Sequence, residues 1–186
     1  MKISPSTYSG TPLEPRLAHT LLVLQSGQNR KAMDQANKLA AFTDLKPTAR
    51  AFYALAAAME NERDLALAAL DEFKTPADLD HPEALLAIGS AWFKLGEIGM
   101  AIPFLIRARK ADVKHPLIAA RLGACLLASG RMQEALPMLQ QAAELLPQSG
   151  GAWLNLARAQ LAAGDAEQAL AALDTAAPLP DKDPAL

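Results

Sequence analysis

A single cysteine, Cys125, stands in a chain of 186 residues, so no internal disulfide is available and stability rests on a packed core. Aromatic residues make up only 5% of the sequence, and alanine and leucine take their place. That balance disfavours a β-sandwich and favours closely packed helices. No stretch approaches the apolar length of a bilayer-spanning helix, so direct membrane insertion is not expected. Met1 to Pro15 holds one lysine and no apolar run, unlike a secretory leader. Neither sign of charge dominates: 18 Lys and Arg stand against 20 Asp and Glu, a net charge of -2. Nucleic acid and anionic membrane surfaces would need a basic footprint that this chain lacks.

The residues of catalysis are equally sparse. His19, His81 and His115 are the three histidines, and none has a cysteine, histidine or carboxylate at metal-ligand spacing. Two of them precede prolines, His81-Pro82 and His115-Pro116, in matching positions. There is no nucleophile elbow, phosphate loop or dinucleotide fingerprint. Cys125, within Leu122-Gly123-Ala124-Cys125-Leu126-Leu127, reads as a small buried helical residue. The adjacent carboxylates Asp71 and Glu72 read as a solvated helix end. The expectation is a soluble cytoplasmic protein that is not an enzyme, with no catalytic residue, no cofactor and no metal.

What the sequence does contain is a large apolar fraction, 51%, organised by a period. Gly96, Gly130 and Gly164 are 34 apart, as are Ala101, Ala135 and Ala169. Leu105, Leu139 and Leu173 keep the same step of 34, and so do Ala108, Ala142 and Ala176. Such ladders in phase mark a helical repeat. In the repeat from Pro116, Leu122, Gly123 and Leu126 share one face of a first helix. Gly130 then ends it in a left-handed cap. A second helix carries Ala135, Leu139 and Ala142, and Pro147 stops it. Gly123 and Ala135 are read as small residues that let two backbones approach.

The pattern resembles the tetratricopeptide repeat family. Trp153, Leu156, Ala157, Gly164, Ala169, Leu173, Ala176 and Pro180 fall where that family places its characteristic residues. The copies at 82–115 and 116–149 follow it closely as well. Gly27 with Ala32, and Asn61 with Ala66, keep the phase in the first third of the chain, with one extra residue near Lys74 to Asp80. The expected organisation is a flexible leader at 1–12, repeats at 13–46, 47–81, 82–115, 116–149 and 150–183, and a tail at 184–186. The resemblance implies an all-α, right-handed superhelical solenoid of about five helix-turn-helix repeats, whose first helices line a concave face.

It also implies a function carried by a surface. On the family's geometry the first helices would present Leu86, Phe93, Leu117, Leu127, Leu154, Arg158 and Leu161 to a partner. These are mostly apolar, which suits an apolar or amphipathic polypeptide segment. The competing reading is that the leucines pack against neighbouring helices. The family's carboxylate clamp is absent: Arg121, Asn155 and Arg158 come nearest, and the required lysines are missing. The implied role is a protein-protein interaction scaffold or adaptor, and in size and acidity the chain is similar to the tetratricopeptide chaperones of type III secretion. The alternative is an N-terminal recognition module of a longer protein carrying an enzymatic or membrane domain. The last helix, Ala166 to about Ala177, brings Leu170 and Leu173 with no polar capping helix after it. Its outer face is therefore expected to be covered by a homodimer through the C-terminal edge, or by a further domain.

Overall fold

The computed structural model describes residues 12–73, 79 and 81–179. The described residues form ten helices and no strand. They are α1 (Pro15–Gln25), α2 (Asn29–Leu39), α3 (Lys46–Met59), α4 (Arg63–Leu70), α5 (Pro82–Lys94), α6 (Ile98–Ala111), α7 (Pro116–Ala128), α8 (Met132–Leu145), α9 (Gly150–Ala162) and α10 (Ala166–Ala176). Nearly all of the expected leader, the 184–186 tail and most of the stretch from Lys74 to Asp80 lie outside the described residues.

The helix boundaries follow from local chemistry. Proline opens α1, α5 and α7 and stands second in α3, positions where its missing N–H costs nothing. His81 and His115 occupy the N-cap positions before Pro82 and Pro116. The imidazole of His115 accepts the Ile118 N–H at 3.4 Å and caps α7, whereas the His81 side chain makes no such cap bond to α5. Within each pair the first helix ends in the same way. Gly27, Gly96, Gly130 and Gly164 have φ between 77° and 87°, and Asn61 takes their place at 62°. The residue after each donates its N–H to a carbonyl in the last helical turn, as Arg131 does to Leu126 at 2.9 Å. This is the left-handed cap that glycine or asparagine permits, and the tight turn folds the second helix back along the first.

The chain divides into two compact units, Met1–Asp112 and Val113–Leu186. In the first unit α1 packs on α2, α3 packs on α2, α4 and α5, and α5 packs on α6. In the second unit α8 packs between α7 and α9, and α9 packs on α10. The close approach inside a pair is visible at two glycines. A Cβ on Gly89 would lie 2.5 Å from Cγ of Leu105, and one on Gly123 would lie 2.6 Å from Cγ of Leu139. Both leucines are fully buried. The neighbours of Gly123 are thus Leu139 and Met138 of α8. Ala135, expected opposite it, is also fully buried.

Candidate partner-binding surface

The first helices α1, α3 and α5 belong to one compact unit, α7 and α9 to the other. The expected surface residues separate by burial. Leu86 is 3% exposed and Leu117 is 7% exposed, so both are core residues and neither offers a side chain to a partner. The physical reason is that a first helix is packed on more than one side. α5 lies against α3 and α6, and α7 against α8 and α9. Leu17, Leu24 and Leu55 are buried in the same way. A broad apolar stripe on such a helix is consumed by its neighbours before it can line a groove.

Phe93, Leu127 and Leu154 are part-exposed, and Arg158 and Leu161 are exposed. Phe93, Leu127 and Leu161 stand 34 apart in sequence, each in the last turn of its helix or next to it. In the first two pairs the same register holds Leu24 and Ala58, both buried. The apolar ladder that reaches solvent is therefore confined to the last three pairs. On α9, Leu154, Arg158 and Leu161 follow the four-then-three spacing of a single helix face, and Arg158 is the only charged residue of that helix. The nearest carboxylate-clamp residues are dispersed in burial: Arg121 and Asn155 are part-buried and Arg158 is exposed.

Several polar features escaped the sequence reading. Arg30 Nε bonds Glu60 at 2.9 Å, and Arg63 reaches Glu97 at 3.3 Å and the Leu95 carbonyl at 3.1 Å. Each joins the start of a second helix to the end of the next first helix, and the only sequence signal was opposite charge near the repeat spacing. Trp153 donates its indole N–H to the Pro147 carbonyl at 3.1 Å. Glu83 lies beside the buried Asp112; burial first, and the Asp112 charge second, push its carboxyl up to about 7. Burial likewise pushes the Cys125 thiol up to about 12, which leaves it protonated and unreactive at neutral pH. Glu72, at the end after α4, accepts from Arg50 Nε at 2.8 Å. Among the described residues no group of side chains could hold a metal ion, and no helix is long and apolar enough to cross a membrane.

Residues 126–186 match a protein-family model described as tetratricopeptide repeat. Solved structures extend the likeness over most of the chain. YrrB, described as a TPR protein with an unusual peptide-binding site, is 21% identical with a TM-score of 0.64, covering 92% of this chain and 88% of YrrB. This is a tetratricopeptide-repeat fold. A MamA structure (AMB-1) is 21% identical at TM-score 0.64, covering 89% of this chain and 96% of that one. An APC/C hetero-tetramer, Cut9-Hcn1, gives 23% identity and a TM-score of 0.66, covering 87% of this chain and 32% of its counterpart. No curated protein matches. At these identities the solved structures establish the tetratricopeptide fold, and the all-α helical repeat expected from the 34-residue ladders is what the chain forms.

Proposed function

We propose that the chain is a non-catalytic scaffold or chaperone that holds an apolar or amphipathic segment of a partner polypeptide. The contact residues are Phe93, Leu127, Leu154, Arg158 and Leu161. The observation that carries this reading is the register comparison: Leu24 and Ala58 are buried, while Phe93, Leu127 and Leu161 at the same repeat position reach solvent. Within α9, Leu154, Arg158 and Leu161 share one helix face, which suits an apolar segment with helical or extended spacing. The neighbours lend support at the level of fold, since one is described as having a peptide-binding site and another as a hetero-tetramer. Arg158 adds a single cation to the α9 face, so a segment with an acidic residue beside its apolar anchor would fit best there. A cytoplasmic location accords with this role.

The test is capture of the bound partner, followed by titration of that partner against Phe93→Asp and Leu127→Asp. Burying each apolar side chain is worth about 1.5–3 kcal/mol, so each variant should weaken binding roughly ten- to a hundredfold. Far-UV circular dichroism should be unchanged, because both residues are already part-exposed. Wild-type affinity in both variants would place the partner on another face. Loss of helicity in both would make these side chains core rather than surface.

A further inference from the structure

A tetratricopeptide pair has two flat sides, one facing the pair before it and one the pair after. The first and last described pairs each leave one such side open. In repeat register, Leu22 corresponds to Ala56, Ala91, Cys125 and Ala159. Those four are fully buried, while Leu22 is 63% exposed. At the other end, Leu173 corresponds to Ala36, Leu70, Leu105 and Leu139. Those are again fully buried, while Leu173 is 42% and its neighbour Leu170 is 61% exposed. The first pair thus leaves open the side that α3 presents to α2 and α9 presents to α8, and the last pair leaves open the side that receives them.

The two open sides complement each other. Between α1 and α2 a groove of about 400 Å³ is lined by Pro15, Thr20 and Leu39 with Arg16, His19 and Lys38 around it. Gln35 completes the lining, which holds basic side chains and no carboxylate. The acidic groups on and beside these helices are Glu14, paired with Arg16 at 2.8 Å, Glu60, paired with Arg30 at 2.9 Å, and the exposed Asp34 and Asp44. Helix α10 carries Glu167 and Asp174 beside its exposed leucines and has no lysine or arginine.

We propose that the chain associates head to tail with a second copy of itself, α10 of one copy lying on the α1–α2 edge of the next. The contact would repeat between copies the packing of α2 on α3 and of α8 on α9 within one copy. It joins different faces of the two copies, so it propagates into a short filament or closes as a ring. This sharpens the expectation of self-association through the C-terminal edge by naming the surface that receives it. It is independent of the partner surface at Phe93 and Leu127, and the variants that test the two do not overlap.

Sedimentation velocity on the 186-residue chain tests it. The wild type should gain mass with concentration and lose it with added salt, which screens the acidic-to-basic match. Leu22→Glu blocks the receiving edge and Leu170→Glu blocks α10. Both sites are exposed, so both variants should keep the wild-type dichroism. Each alone should be monomeric, with the dissociation constant raised at least about tenfold. An equimolar mixture should form a dimer and nothing larger, because one variant keeps its α10 and the other its α1–α2 edge. A wild type that stays monomeric at every concentration would overturn the proposal. So would a Leu22→Glu variant that still self-associates, which would mean a symmetric α10–α10 contact, or a mixture that remains monomeric.

Discussion

Gly123→Ala is the sharpest probe of the pair interface. The added Cβ would lie 2.6 Å from Cγ and 2.7 Å from Cδ2 of Leu139, and 3.2 Å from Cβ of Met138. Carbon atoms rest about 3.5–4.0 Å apart, so the leucine branch point must retreat by about 1 Å. Leu139 is fully buried, in a helix packed against both α7 and α9, and cannot swing into solvent. Overpacking of this kind costs about 1–3 kcal/mol, and the fixed branch point argues for the upper end. Replacing glycine by alanine inside a helix returns about 1 kcal/mol. The expected net destabilisation is therefore about 2 kcal/mol, a fall in Tm of about 4–8 °C for a chain of this size. Thermal unfolding followed by far-UV dichroism measures it. Gly99→Ala in α6 is the matched control: its added Cβ would meet no atom within 4 Å, so that variant should hold or gain stability. A Gly123→Ala protein at least as stable as wild type, or a Gly99→Ala protein less stable, would refute the packing argument.

The turn glycines behave in the opposite way. Gly130→Ala meets no atom within 4 Å, yet its φ of 77° should cost about 1–2 kcal/mol, read in the same melting assay; Asn61→Gly should stabilise by up to about 1 kcal/mol. Glu83 gives a pH signature. Its folded pKa of about 7 exceeds the ordinary 4.5, so the native state holds the extra proton. Its contribution is full below pH 4.5 and lost as pH rises through 7, at most about 3 kcal/mol. Urea unfolding from pH 5 to 8 should show that decline in wild type and a flatter profile in Glu83→Gln. Arg63→Ala, which removes an exposed ion pair with Glu97, should change stability by less than about 1 kcal/mol, and a larger loss would mean the pair matters more than surface pairs usually do.

The fold was legible because its signals are local and repeated. Gly96, Gly130 and Gly164 each had to reverse the chain, and a left-handed φ is a demand that one residue type meets well. Asn61 could be read as their substitute for the same reason, and it has the left-handed φ. Which of the proposed contact residues reach solvent was only half legible. Leu86 and Phe93 lie seven residues apart on one helix and look alike in sequence, yet one is core and the other reaches solvent. Their difference is one of tertiary packing, which has no periodic signature in the sequence. The electrostatic coupling of Glu83 to Asp112 links the start of α5 to the residue after α6, and neither residue belongs to a motif.

Size compensation explains why the repeat tolerates variation at its tightest contact. The register of Gly123 and Leu139 holds Thr20 and Ala36 in the first pair, Ala54 and Leu70 in the second, Gly89 and Leu105 in the third, and Ala157 and Leu173 in the last. Where the first-helix residue is largest, at Thr20, the second-helix residue is smallest, at Ala36, and both are buried. Ala54 coexists with a fully buried Leu70, in α4, the shortest second helix, which ends at Leu70. Ala157 coexists with Leu173, which is 42% exposed on the open side of the last pair. The fully buried α8 position has no such open side. A double-mutant cycle makes this measurable: Leu139→Ala alone should cost about 2–5 kcal/mol by leaving a cavity. In that background Gly123→Ala should lose its penalty, because its Cβ then fills part of the space. The coupling should favour the double variant by at least about 1 kcal/mol. Strict additivity would show that the two residues do not share the contact, and that the alternation of sizes along the repeats has another cause.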